Sequence, residues 1–145
     1  GRLETVLLTL SEAVVVPRHI ACRNLHSWIN LAPLRDLRDP ATPAPVATDD
    51  SGRSAQQFVV DVRTTRGGRT SRATANGRDI YAVTAPLLVE ALQRILDGRV
   101  AAHGVLAAGQ AFDARDFLAS LESAGIAVAF ESATEAEADA SSGGR

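Results

Sequence analysis

The chain has 145 residues, of which 46% are hydrophobic and 4% aromatic, and its formal net charge is −2. This length suits one domain whose core is built mainly from aliphatic side chains. The near-neutral charge argues against a protein drawn to nucleic acid or to an anionic membrane surface. No apolar run approaches the roughly 18 residues that a transmembrane helix needs. We therefore expect neither nucleic acid nor membrane among its partners.

Cysteine and histidine are too few for a disulfide or a metal cluster. The single cysteine, Cys22, excludes an internal disulfide and favours a reducing, cytoplasmic setting. None of the three histidines has a second ligand at a metal-binding spacing, so no metal site is predicted. The chain begins at Gly1 and contains no Met, which suggests that it is a piece of a longer protein.

The first third of the chain has strand character followed by a loop. Residues 3–10 and 13–16 are short β-rich runs, and residues 25–32 alternate strictly between apolar and polar side chains. This alternation places His26, Trp28 and Asn30 on one face of a strand. Residues 33–54 are rich in Pro, Asp, Thr and Ser, which predicts a long surface loop.

Residues 55–77 predict a β-hairpin that turns at Gly67 and Gly68. The register that follows puts Arg63 directly opposite Arg72, an unfavourable pair of like charges. Asp61 lies diagonal to Arg72 in this register and is expected to compensate the repulsion.

Residues 84–98 predict an amphipathic helix. Pro86 falls in its first turn, and Gly98 follows its last turn. The helical period predicts that one apolar stripe packs on the core and that the polar positions face solvent. The stripe consists of Leu88, Ala91, Leu92, Ile95 and Leu96, and the polar face of Glu90, Gln93, Arg94 and Asp97.

A second helix is predicted from Asp113 to Gly125, with Asp113 as its N-cap and with Phe112 and Phe117 as a hydrophobic staple. A strand follows at residues 126–131. The order of elements predicts an α+β fold, with a mainly antiparallel sheet and helices packed on one face. We expect residues 1–130 to form this domain and residues 131–145 to be a disordered acidic tail.

Two groups of polar and aromatic side chains are candidate sites. His26, Trp28 and Asn30 suit a ligand wall or a protein interface, although a Trp packed under the 39–54 loop explains them equally well. Arginine suits a planar carboxylate and tyrosine donates hydrogen bonds. The second group is Arg78, Asp79 and Tyr81, for which the alternative is a surface ion pair beside a half-buried Tyr. Neither group identifies a reaction, so no catalytic residue is predicted.

Nucleotide-binding motifs are absent from the sequence. No GxGxxG follows a predicted strand, and a GxxxxGK[ST] loop is excluded because the chain has no Lys. No cofactor-binding residue is therefore predicted within this chain.

Several stretches nevertheless carry a family resemblance. They are "VVVPRHI", "LAPLRDLRDPATP", "GRDIYAVTAPLLVEALQRILDGR" and "GVLAAGQAFDARDFLASL". Together they resemble the C-terminal part of saccharopine dehydrogenase-like oxidoreductases, in particular actinobacterial-looking members. The similarity extends from about residue 3 to residue 125 and rests on helix and loop patterns rather than on a catalytic signature.

The resemblance implies a protein of two parts. An N-terminal Rossmann domain, which has no counterpart in this chain, would bind NAD or NADP. The present chain would cover the cofactor, contribute to a small-molecule substrate pocket that includes Arg78, Asp79 and Tyr81, and form a homodimer. It would be inactive without the nucleotide-binding half and would expose an apolar surface where that half docks. The alternative is a free-standing α+β binding or protein-interaction module without catalytic activity.

Overall fold

The computed structural model describes residues 3–100 and 102–135. The chain divides into two compact units. Unit 1 takes the described residues of Gly1–Pro45 and Ala91–Phe117, and unit 2 takes those of Val46–Glu90 and Leu118–Arg145. Both contain helices, and each has an antiparallel sheet, which confirms the predicted α+β class.

Unit 1 is built from short elements. Strands β1 (Thr5–Leu7) and β2 (Trp28–Asn30) pair antiparallel, with Val6 opposite Ile29. The other elements are α1 (Glu12–Val15), a 3₁₀ turn (Val16–Arg18), α2 (Leu31–Asp36), the C-terminal part of α3 (Thr84–Leu96), α4 (Ala108–Ala111) and the start of α5 (Ala114–Ser120). The prediction of a strand at residues 13–16 is wrong, because the chain there forms α1 and the 3₁₀ turn.

Strand β2 is also shorter than the alternation of residues 25–32 predicted. It ends at Asn30, whose side-chain Oδ1 accepts a hydrogen bond from the Ala32 amide at 3.2 Å and so caps α2. Part of the predicted 33–54 loop is therefore helical. An Asn side chain that satisfies a free amide at a helix start competes effectively with strand continuation.

Unit 2 contains a three-stranded antiparallel sheet in the order β3 (Gln57–Arg66), β4 (Arg69–Arg78), β5 (Ala127–Glu135). Gly67 and Gly68 form the β3–β4 turn with φ of 57° and 75°, as a two-residue hairpin turn requires. Strand β5 continues to Glu135, past the predicted domain end at residue 130. The remainder of the predicted tail, residues 136–145, lies outside the described residues.

The hairpin has the predicted register, with Arg63 opposite Arg72. Asp61 relieves the repulsion, because its Oδ2 lies 2.8 Å from Arg72 Nη2 and 3.4 Å from Arg63 Nη2. The hydrogen bonds from Arg72, together with the weaker influence of Arg63, lower the pKa of Asp61 to about 2. The same pairing with Asp61, supported by Glu131, raises the pKa of Arg72. These charges are mutually compensated on the sheet face.

The second predicted helix starts as expected. The Asp113 carboxylate accepts a hydrogen bond from the Asp116 amide at 2.8 Å, and the rings of Phe112 and Phe117 lie 5.2 Å apart. Helix α5 then tightens into a 3₁₀ segment, Leu121–Ala124, which ends at Gly125 with φ of 75°. Val83, Leu121 and Ile126 are the buried apolar side chains among the described residues, and all three belong to unit 2.

Candidate functional site

Arg78, one of the predicted site residues, holds a loop against the end of the sheet. It closes β4 opposite Gln57. Its Nε donates to the Ser54 carbonyl at 3.2 Å, and its Nη2 donates to the Arg53 carbonyl and to Thr48 Oγ1, each at 3.3 Å. The Asp49 carboxylate approaches the same Nη2 at 2.7 Å. The predicted Arg78–Asp79 surface pair is thus replaced by an Arg78–Asp49 pair.

Asp79 connects three segments of unit 2. Its backbone has φ of 56°, a left-handed conformation that Asp tolerates better than most residues. One carboxylate oxygen accepts from the Ser54 amide at 2.9 Å and the other from the Ala82 amide at 3.1 Å. These amides, Ser54 first, lower the pKa of Asp79. The geometry gives Asp79 a role in orienting the segment that enters α3.

Tyr81 differs from its two neighbours because its side chain is 67% exposed. Its carbonyl accepts the Thr84 amide at 3.2 Å, at the start of α3. The phenol therefore stands at the surface beside a helix entrance, where a bound molecule can reach it.

The other predicted group lies in unit 1. Trp28 is opposite Leu7 in the small sheet and is 62% exposed, and His26 is exposed in the segment before β2. Asn30 caps α2 through the hydrogen bond described above. With more than half of its side chain exposed, Trp28 is not packed under a loop. The structure assigns the two predicted groups to different units.

An open depression in unit 2 contains residues that the sequence did not single out. It is lined by Ser51, Arg53, Arg78, Ser123, Ala124 and Gly125. Arg53 Nη1 donates to the Ala124 carbonyl at 2.8 Å, although the two residues are 71 positions apart. No local pattern indicates such a contact, so sequence reasoning had no signal from which to find Arg53.

The loop that carries Arg53, residues 46–54, is ordered by its own hydrogen bonds. The Ser51 amide donates to Asp49 Oδ1 at 3.0 Å, and the Ser51 hydroxyl donates to the same oxygen. The Ser51 hydroxyl and then Arg78 lower the pKa of Asp49 to about 2. Ala47 and Ser54 close the base of the loop as an antiparallel bridge. Both arginines of the depression are consequently held by defined contacts.

Helix α3 presents a second candidate surface. Five of its aliphatic side chains are more than half exposed; we call this set the outer face of α3: Leu88, Val89, Leu92, Ile95 and Leu96. Successive members are one or three positions apart, so they form a continuous stripe along one side of the helix. The prediction that the stripe at 88, 91, 92, 95 and 96 packs on the core is wrong for its four large members.

Arg94 was also placed wrongly by the sequence, which predicted it to face solvent. It is 3% exposed. Its Nη1 lies 2.6 Å from Asp116 Oδ2, and its guanidinium sits 5.1 Å from the centre of the Phe117 ring. A planar guanidinium satisfies both a carboxylate and an aromatic face, which explains how the side chain is buried with its charge.

The described residues offer neither a metal cluster nor a membrane-spanning helix. No group of three or more His, Cys, Asp or Glu side chains is placed to hold a metal ion among residues 3–100 and 102–135. Within the same residues, every helix is too short or too polar to cross a membrane.

Comparisons with known proteins do not add a relative. No family model matches the chain. Neither the curated proteins nor the solved structures contain a match.

Proposed function

We propose that this chain is the substrate-binding and dimerisation portion of a saccharopine dehydrogenase-like oxidoreductase, acting in the cytoplasm with a nucleotide-binding half that it does not itself contain. The outer face of α3 is the observation that carries the proposal. Leu88 is 65% exposed and Leu96 is 76% exposed, with three further aliphatic side chains between them. Such a stripe is expected where a second domain or subunit docks.

The position of this stripe supports the proposal. Helix α3 lies in "GRDIYAVTAPLLVEALQRILDGR", the stretch that carries the strongest resemblance to the family. Covering five half-exposed aliphatic side chains would stabilise an assembly by on the order of 5 kcal/mol before the entropy of association is subtracted. The proposed occupant is the NAD- or NADP-binding domain, and a homodimer contact is assigned to other surfaces, including the exposed Trp28.

The proposal assigns a role to each member of the Arg78, Asp79 and Tyr81 group. Arg78 and Asp79 shape the wall that faces a small-molecule substrate by fixing the 46–54 loop and the entry to α3. Tyr81 is the exposed member and is therefore the one that would contact substrate or the cofactor half. Hydride transfer requires the nicotinamide cofactor, which the missing half would supply.

The first test is the reading frame upstream of the Gly1 codon. We expect it to encode a strand, a GxGxxG turn and a helix, within a domain of roughly 100–200 residues. The encoded longer protein should bind NADH or NADPH, measured by cofactor fluorescence, whereas the present chain should not. A start codon directly before Gly1 would overturn the proposal and favour the free-standing binding module.

A matched pair of variants tests the docking surface in the longer protein. Leu92→Glu places a charge on the outer face of α3, and Gln93→Glu places the same charge on the adjacent position. We expect the first to separate the two halves, seen as increased proteolysis between them and weakened cofactor binding. The second should leave both unchanged. Equal behaviour of the two variants would contradict docking at this face.

A further inference from the structure

We propose that the depression around Arg53 is a binding site for a carboxylate group carried by a small molecule. Its principal element is the Arg53 guanidinium, which is half-buried and fixed by the Ala124 carbonyl. That bond occupies Nη1. Nε and Nη2 form the opposite edge of the guanidinium and have no hydrogen-bond partner among the described residues. This edge has the two parallel donors that match a carboxylate.

The charges around the depression bear on which anion it would bind. Arg78 lines the same depression, but Asp49 lies 2.7 Å from its Nη2 and compensates its charge. Because the pKa of Asp49 is about 2, this carboxylate is ionised at neutral pH. Arg53 makes no ion pair with any acid in the described part of the chain. The Arg53 guanidinium therefore has no charged partner of its own, while the nearby carboxylates of Asp49 and Asp79 repel a dianionic phosphate more strongly than a carboxylate.

The neighbouring hydroxyls leave the guanidinium as the main donor. The Ser51 hydroxyl donates to Asp49, and the Ser123 hydroxyl donates to the Ser120 carbonyl at 3.2 Å. Their protons are thus already engaged, although both oxygens line the depression. Gly125, at φ of 75°, adds no side chain at this rim. A ligand carboxylate would accept two hydrogen bonds from the free edge of Arg53.

The rigidity of Arg53 distinguishes it from other surface arginines. Arg66 is exposed at the turn end of β3, where its side chain is long and unrestrained by any contact described for it. Fixing a guanidinium before the ligand arrives removes part of the conformational entropy that binding otherwise costs. Affinity should therefore differ between the two positions even though both are arginine.

Acetate is the probe that tests the site. The whole chain, labelled with ¹⁵N, is titrated with sodium acetate at constant ionic strength, and the arginine Nε–Hε resonances are followed by NMR. We expect one arginine resonance to shift saturably with a Kd on the order of 10 mM, because the site is open to solvent. Arg53→Gln should abolish this shift, and the control Arg66→Gln should preserve it.

Two further measurements test the paired donors of Arg53 and the preference of the site for a carboxylate. Arg53→Lys keeps the charge but loses the paired donors, so we expect acetate to bind several-fold more weakly even if Arg53→Gln does not fold. Inorganic phosphate should bind no more tightly than acetate. Wild-type protein without a saturable shift, Arg53→Lys equal to wild type, or a clear preference for phosphate would each overturn the proposal.

This inference does not rest on the proposed function. The acetate titration uses the chain by itself and involves no nucleotide-binding half. A failed titration therefore leaves the oxidoreductase proposal standing, and a start codon before Gly1 leaves the carboxylate site standing.

Discussion

The β3–β4 hairpin and helix α3 follow one another in the chain, yet their sequences determined them to different degrees. In the hairpin, the pairing partner of every residue follows from the Gly67–Gly68 turn, and the structure has that register. In α3, the helical period defines an apolar stripe, but the stripe faces outward and Arg94 faces inward. A two-residue turn fixes the register of the two strands that it joins. The period of a helix, in contrast, does not determine which side of the helix is covered.

The largest expected effect is the difference in lost stability between Leu121→Ala, at a buried leucine, and Leu92→Ala, at an exposed one. Leu121 is 3% exposed, so removing its side chain should lower the free energy of unfolding by about 2–5 kcal/mol. Leu92 lies on the outer face of α3, and the same change there should cost less than about 1 kcal/mol. Urea unfolding followed by circular dichroism measures both. Equal losses would mean that the outer face is covered within the chain.

The buried side of α3 is tested by Asp116→Asn. This change removes the charge that faces Arg94 but keeps the amide that Asp113 caps. Because Asp116 is largely exposed, solvent reduces the loss, and we expect about 1–2 kcal/mol in the same unfolding measurement. Asp97→Asn is the control. Asp97 follows the last residue of α3 and pairs with Arg99 at the exposed surface, so this change should be nearly neutral. A neutral Asp116→Asn would contradict a buried Arg94 held by this pair.

The hairpin is tested at Gly77, which lies opposite Phe58. A methyl group at Gly77 would lie 3.0 Å from two carbons of the Phe58 ring and 3.1 Å from the Gly125 carbonyl oxygen. We expect Gly77→Ala to lower the free energy of unfolding by about 1 kcal/mol, since crowding exceeds the gain from restricting the unfolded chain. In a Phe58→Leu background the loss should shrink. An unchanged loss would locate the strain elsewhere.

The smallest effect concerns Asp61 and its dependence on pH. Folding lowers the pKa of Asp61 from 3.8 to about 2, so its ionised form stabilises the native state above pH 3.8. This contribution is lost as the pH falls toward 2. Asp61→Asn should lower the melting temperature by on the order of 1–3 °C at pH 7. Near pH 2 the difference from wild type should vanish. A difference that stays constant with pH would exclude the charge as its cause.

Local signals accounted for most of the second half of the fold. The N-cap Asp113, the staple of Phe112 and Phe117, and the Arg63–Arg72 pair with Asp61 are all contacts between near neighbours or across one tight turn. The strand prediction for residues 13–16 was wrong because branched side chains favour strands only where a partner strand is available. Residues 13–16 have none in the described sheets and form a helical turn instead.

The candidate sites were foreseen only in part. Arg78 and Asp79 were recognised as a polar cluster, but their engagement with the 46–54 loop depends on a loop conformation that composition does not specify. Arg53 was missed, because its contact with Ala124 joins segments 71 positions apart. Long-range contacts of this kind leave no periodic trace in the sequence.

The sequence by itself determined the α+β class, the hairpin register, the start of the second predicted helix at Asp113 and the amphipathic character of α3. These follow from hydrogen bonds and side-chain periods that act over a few residues. Tertiary structure decided which side of α3 is covered, why Arg94 is buried, and that Arg53 and Arg78 share one depression. Such outcomes depend on which distant surfaces meet, because burial is a property of the packed chain and not of any single segment.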